Sequence, residues 1–508
     1  MNKAVIRLCL FMLLFTAAAG AQAQDDASAR VELDRAAQAM GGLDRLRGLH
    51  NVVLTGFGQR LYHEGGGNET GDEHSPIKWQ AVTDAQRTFD LPRRRALNQE
   101  RRAFEFPFAG LFGLNFARTT TLQTGVMLLD HPLPALLEAL APGTRLGAVS
   151  QENGVTVVEF TPPGSPSQAW IGIDPATHLP KFTRWISGSA TLGDVTTTAW
   201  FTGYMPFSGV QLPMGLVNEM DWRKQVSLTF QVDSYRVDLP SAQLPQFPAP
   251  PPAVAIAAVA ATAKKVADGV WDVRVANAGG PVIEFARRLV MFEAYGSEAE
   301  TLARIDAANA LVPGKKVEAV IVTHHHFDHT GGLRAALSRG LEVISQRGNE
   351  GIIREMASRP ARFYPDALAR SPHPLTFTPV DEKLVIEDAK QRLEIYRVVE
   401  HGHMPNAVFA YLPRDRISME GDFGDESWQL HWWGSALTAN IKQYGIAPTT
   451  NIAVHGSGPL SIEQTLTNNR KQIAAAVEYC RTTEQGGRFV SGCPIQYDAQ
   501  GPVPLTPR

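Results

Sequence analysis

At 508 residues the chain is too long for one ordinary hydrophobic core and points to two or three domains. With 44% hydrophobic and 19% charged residues, the composition excludes both a disordered chain and one built of membrane spans. A net charge of −3 without a long Lys/Arg block excludes a nucleic-acid groove, and the short cluster Arg93-Arg94-Arg95 reads as solvated surface.

The chain opens on an export signal. Lys3 and Arg7 precede the apolar run Leu8 to Phe15, and Ala21-Gln22-Ala23 offers small residues for cleavage, so residues 1–23 read as a signal peptide. That run is too short for a permanent anchor, and no other segment is long and apolar enough for a transmembrane helix. The expected location is therefore periplasmic or secreted. Cys9 lies too early in the apolar run for a lipoprotein box.

Residues 24–243 read as a β-rich domain. A helix over Val31 to Met40 stops at Gly41-Gly42. Strands follow at Val52 to Gly56, Val155 to Phe160, Ala169 to Ile173 and Val226 to Phe230, and their alternation predicts an antiparallel sheet. A tight turn is expected across Asp174-Pro175-Ala176-Thr177-His178-Leu179-Pro180. Phe104, Phe106, Phe108, Phe112 and Phe116 crowd one stretch; core packing is the favoured reading, and a surface for an acyl chain or a lid is the alternative. The opening helix, the strand rhythm and the Asp-x-x-Thr-x-Leu-Pro turn resemble the half-barrel of periplasmic lipoprotein carriers.

Residues 244–262 form a Pro- and Ala-rich linker, with prolines at 245, 248 and 250–252 that prevent helix and central strand. The Ala-rich stretch Ala253 to Ala263 is expected to be helical. From residue 263 to 508, strands and helices alternate. Strands are expected at Val270 to Val275, Val282 to Phe285, Leu289 to Phe292 and Val317 to Val322, with others near Leu384, Ile395, Ala410, Ile417 and Ile452. The capping box Ser297-Glu298-Ala299-Glu300 opens a helix toward Leu311, and Gly331-Gly332 leads into another. Periodicity alone establishes only mixed α and β. Cys480 and Cys493 are the two cysteines left after the signal, and a bridge between them is favoured over two free thiols.

The chemistry concentrates between Thr323 and Gly332, Thr-His-His-His-Phe-Asp-His-Thr-Gly-Gly, directly after the apolar run Val317 to Val322. Imidazoles and a carboxylate where a buried strand opens into a loop suit Zn²⁺, with Fe or Mn as further options. Downstream come Gly402-His403-Met404-Pro405-Asn406 before an apolar strand, Glu420-Gly421-Asp422 at a strand end, and Asn451-Ile452-Ala453-Val454-His455-Gly456.

These four elements, in this order, resemble the metallo-β-lactamase superfamily, whose signature is His-x-His-x-Asp-His. The resemblance covers Gly269 to Ser461 and implies an αββα sandwich, so the whole chain reads as α+β. It implies that His324, His326 and His403 bind one metal, that Asp328, His329 and His455 bind a second, and that Asp422 bridges them. Two Zn²⁺ would hold a bridging hydroxide that attacks a small ester, thioester, lactone or amide, with Asp328 handling the proton. An acidic residue at Asp422 resembles the glyoxalase II and lactonase branches, where true β-lactamases carry Cys or Ser.

His401 competes with His403, which its Gly-His-x-Pro context favours. His325 is expected to point away from the metals. Glu293 is either a carboxylate orienting a ligand or an ordinary strand end. Trp428, His431, Trp432 and Trp433 either line a pocket or fill the core. Besides a small-molecule hydrolase, two readings stand: an iron redox enzyme on the same fold, and a ligand-binding protein with structural metals.

Overall fold

In the computed structural model the described residues are 26–62, 79–104, 117–249, 259–399, 406–422, 434–456, 458–486, 493, 497–498 and 501–502. The signal segment, Phe106 to Phe116, His401, His403 and the stretch from Trp428 to Trp433 lie outside them.

The first helix, residues 26–40, places Ala29, Leu33, Ala36 and Met40 on one face at helical spacing, and all four are fully buried. Gly41 and Gly42 end it with φ of 130° and 95°, a region that favours glycine. The buried face packs on an 11-stranded sheet running from Asn51 to Val237, in which every neighbouring pair is antiparallel. The sheet is open, ending at Ala117–Thr124 on one side and Arg145–Glu152 on the other. The helix Pro132–Ala139 joins the same core. The turn at Asp174 forms as expected: its Oδ1 accepts from the backbone N–H groups of Ala176 and Thr177, each at 3.0 Å.

The second half holds two large sheets, besides a two-stranded one formed by Tyr497–Asp498 and Gly501–Pro502. One has seven strands and orders Thr262–Ala267, Val270–Val275, Ala278–Glu284, Leu289–Phe292, Val317–Ile321, Glu342–Gln346 and Phe377–Val380. Its last four strands are parallel. The other has six strands between Lys383 and Ser461. Their inner faces share one core, in which Phe292, Ile321 and Ile344 meet Ile395, Val408, Met419 and Ile452. Helices cover both outer faces: Ile305, Ala308, Leu333, Ile352 and Met356 behind the seven-stranded sheet, Ala436 and Leu437 behind the other. The layers are therefore α, β, β, α, and the chain is mixed α+β.

The strand Val317–Ile321 gives the His-rich loop that follows it a buried base. Ala319 and Ile321 face the inner core while Val317 and Val320 face the outer one, so the run is apolar on both faces. Ser297 caps the helix Glu298–Leu311, its Oγ accepting from Glu300 N–H at 3.3 Å, as the capping box requires.

One expectation is corrected. The end of the Ala-rich stretch is not helical: Thr262–Ala267 is an edge strand paired with Val270–Val275, its first four residues exposed. Edge pairing with a preformed strand outweighs a local alanine preference for helix. Residues 253–258 of that stretch lie outside the described set. Cys480 and Cys493 are joined in a disulfide. Among the described residues no helix is long and apolar enough to cross a membrane.

Candidate metal centre

The strand Val317–Ile321 delivers the chain into the loop Val322 to His326, and His326 then caps the one-turn helix Phe327–Thr330. Its carbonyl accepts from His329 N–H at 3.0 Å, Thr330 N–H at 2.9 Å and Thr330 Oγ1 at 2.8 Å. This folding brings His324, His326, Asp328 and His329 to one spot. Asp422 follows the strand Ile417–Glu420, and His455 follows its parallel neighbour Thr450–Ala453.

Two triads result: His324, His326 and Asp422, and then Asp328, His329 and His455, with the ligand atoms of each within 4.8 Å of one another. Asp422 joins them. Its Oδ2 lies 3.4 Å from His324 Nε2, while its Oδ1 lies 2.9 Å from His329 Nε2 and 3.2 Å from His455 Nε2. Asp328 Oδ2 is 3.4 Å from both His329 Nε2 and His455 Nε2. Ligands at about 2.1 Å around a tetrahedral cation stand roughly 3.4 Å apart, so these separations suit nitrogen and oxygen donors around a small divalent ion. His324 Nε2 also faces His326 Nδ1 at 2.9 Å, and His329 Nε2 faces His455 Nε2 at 3.2 Å. Asp328 Oδ1 is buried with no hydrogen-bond partner among the described residues. Ring nitrogens and the carboxylate oxygens Asp422 Oδ1 and Oδ2 and Asp328 Oδ2, converging at these distances, fit a cation.

The electrostatics agree. Burial alone would lower the His329 pKa, but the carboxylates of Asp422, Asp328 and Glu293 outweigh it and hold the imidazole well above its usual value. Burial would likewise raise Asp422, yet His329, His324 and His455 hold it well below the ordinary carboxylate range. Asp328 is also held low, chiefly by His329 against the effect of burial. The pocket attracts positive charge.

Six of the seven expected ligands thus meet, and His403 lies outside the described residues. His325 turns the other way, its Nδ1 2.9 Å from Asn349 Oδ1. Glu293 is fully buried with φ of 71°. Its Oε1 accepts from Thr323 N–H at 3.2 Å and from the Thr323 hydroxyl, and stands 3.2 Å from His329 Nδ1. Its positive φ, its burial and its contact with His329 Nδ1 put this carboxylate where it can orient a candidate ligand.

Residues 282–414 match the family model of the metallo-beta-lactamase superfamily. The C-terminal region has the metallo-β-lactamase fold. Members of that superfamily are metal-dependent hydrolases, and the match supports the same coarse activity here. Among solved structures, a metallo-beta-lactamase from Pontibacter korlensis is 15% identical, with 41% of this chain and 96% of that one covered and a TM-score of 0.33. One from Hirschia baltica is 19% identical, with 42% and 97% covered and a TM-score of 0.33. A sec-alkylsulfatase from Pseudomonas sp. is 17% identical, with 44% of each chain covered and a TM-score of 0.32. No curated protein matches the chain.

The metallo-β-lactamase domain uses groups around the triads that the motif does not announce. Fully buried Arg304 donates to the carbonyls of Glu293 at 2.8 Å, Phe292 at 2.7 Å, Val273 at 3.0 Å and Gly280 at 3.3 Å. Burial lowers its pKa to about 10, so it stays cationic at neutral pH. The signal lies in the sequence: Arg304 occupies the apolar stripe shared by Thr301, Ile305 and Ala308. Arg274, paired with Asp272 at 2.7 Å, holds the carbonyls of Ala453, Val454 and Gly456 around His455. Tyr295 sets its ring edge-on to His329 and His455, with centroids 5.5 and 5.0 Å apart. Gly421 is small because a Cβ there would meet Thr323 Oγ1 at 2.6 Å.

Proposed function

We propose that the chain is an exported hydrolase with two metal ions, zinc in the first place, acting on a small ester, thioester, lactone or amide. The observation that carries this reading is the meeting of two His/Asp triads at the single carboxylate of Asp422. When bound, such cations supply an activated water near neutral pH and polarise the bond to be cleaved.

The chain's own residues do the rest. His324, His326, His403 and Asp422 would hold one ion, and Asp328, His329, His455 and Asp422 the other. Glu293 fixes the ring orientation and tautomer of His329 through Nδ1. Asp328 Oδ1 carries no hydrogen bond among the described residues and is the atom that takes the proton. The edge-on packing of Tyr295 narrows the space beside His329 and His455.

Export rests on the basic, apolar and small-residue succession of residues 3–23, and a disulfide between Cys480 and Cys493 accords with an oxidising compartment. N-terminal sequencing of the protein from cells tests it, with a start near Gln24 expected.

The activity is tested by assaying the zinc-loaded protein against lactones, thioesters, phosphodiesters and β-lactams, with a chelator control. Chelator-sensitive hydrolysis of one class is expected. Stoichiometric iron with oxygen consumption would overturn the hydrolase reading in favour of redox chemistry. Full turnover by His326→Ala would make any metals structural.

A further inference from the structure

Trp222 belongs to the turn Trp222–Lys224, which joins the strands Val210–Met220 and Val226–Val237 of the 11-stranded sheet. Its side chain is not part of that sheet's own core. It is 3% exposed and packs, with Leu192 and Val195, into the cluster formed by Leu333, Ala336, Ile352 and Met356 behind the seven-stranded sheet. There its ring stands 5.7 Å from that of Phe327, tilted by 47°. Phe327 is the residue between His326 and Asp328 in the metal loop.

A second route runs through the helix Glu350–Ser358. Trp222 Nε1 donates to Glu355 Oε2 at 2.8 Å, and the same carboxylate takes the Arg223 guanidinium through two bonds of 2.9 Å. The helix begins at Asn349, whose Oδ1 faces His325 Nδ1. The segment after the helix is also tied to the first sheet. Arg359 donates to the carbonyls of Leu192 at 2.9 Å and Asp194 at 2.7 Å, and the Asp194 carboxylate accepts from the N–H groups of Arg362, Phe363 and Tyr364.

These contacts are more than a tether between two bodies needs. A buried tryptophan lent to the other half's core, with its ring on a residue flanked by two candidate ligands, limits how far the loop can shift. Ligand sets tolerate displacements of only about 0.5 Å. We infer that Trp222 is a positioning residue for the metal loop, so that the N-terminal sheet sets the geometry of the metal centre from behind. This rests on the metal-centre reading above.

The test uses the full chain and zinc alone, with affinity read by competition against a chromophoric chelator and folding followed by circular dichroism and thermal melting. Trp222→Ala is expected to weaken zinc binding about tenfold or more, the scale on which supporting groups act. Trp222→Phe, which keeps a ring, should rescue it to within about threefold. Leu192→Ala, in the same cluster but without a ring against Phe327, should lower the melting temperature and leave zinc affinity unchanged. The double variant Trp222→Ala/Phe327→Ala should lose no more than the larger single loss, the mark of coupled groups. Wild-type zinc affinity in a folded Trp222→Ala protein overturns the inference. If that variant does not fold, Phe327→Leu is read instead, and unchanged affinity there overturns it equally. A wild-type chain that binds no zinc removes the metal centre itself, and this inference with it.

Discussion

Glu293 Oε1 stands 3.2 Å from His329 Nδ1, and both side chains are fully buried. The ring nitrogen on the far side, Nε2, faces Asp422, Asp328 and His455. A carboxylate behind an imidazole fixes which nitrogen carries the proton and raises the basicity of the other. Glu293→Gln should therefore weaken zinc binding about 10- to 100-fold while the circular dichroism spectrum stays that of the wild type. Unchanged affinity would make Glu293 a strand-end carboxylate and nothing more.

Arg304 should matter to stability more than to chemistry. Its guanidinium satisfies four backbone carbonyls, and Arg304→Met leaves them without their donor in a buried place. The expected loss is about 3 kcal/mol or more, read from equilibrium urea unfolding. A change under about 1 kcal/mol would mean that the carbonyls find other partners.

His131 gives the first domain a pH dependence. It is fully buried, with Nε2 3.2 Å from the Tyr235 hydroxyl and Nδ1 accepting from Leu133 N–H at 3.3 Å. Burial, and then Arg87, hold its pKa well below 6.5. The unfolded chain takes up a proton there that the folded chain refuses. The stability this imidazole contributes is full above about pH 6.5 and falls as the pH drops below it, by at most about 1.4 kcal/mol per pH unit. His131→Asn should flatten the stability profile between about pH 5 and 6.5. Parallel profiles for the two proteins would contradict this.

The disulfide predicts a local effect. Cys480 lies on the helix Ile462–Gln485 and packs with Ile473 and Ala476, while Cys493 lies 13 residues on. Alkylation of the native protein should label neither cysteine, and reduction should lower the melting temperature without releasing bound zinc. Loss of zinc on reduction would tie this helix to the metal centre.

The legible parts of the molecule are those in which local chemistry decides. The strand Val317–Ile321 is readable because burial on both faces leaves an unbroken apolar run, and the candidate ligands are readable because a metal tolerates few residue types at fixed spacing. The capping box at Ser297 is a contact within one turn. By contrast, the strands Trp79–Asp90 and Arg95–Phe104 bury Arg87 and Glu100, and charge inside a strand hides its alternation. Thr262 and Ala263, at the end of the Ala-rich stretch, read as helix because their strand partner is supplied by the rest of the sheet. Arg304 shows its burial by its place on the helix stripe, but the four carbonyls that hold it come from outside the helix and leave no local pattern. Trp222 sits in a short turn, and its partner Phe327 is 105 residues away in sequence, so no local pattern links them.

A centre in which two ions share Asp422 is read out in the number of metal ions each chain holds. Elemental analysis of zinc-loaded protein, freed of loosely bound metal, should give two ions per chain for the wild type and for His131→Asn. Asp422→Ala should retain at most one. A wild-type chain without bound metal, or an Asp422→Ala chain that still holds two ions, would rule out a pair of ions joined at Asp422.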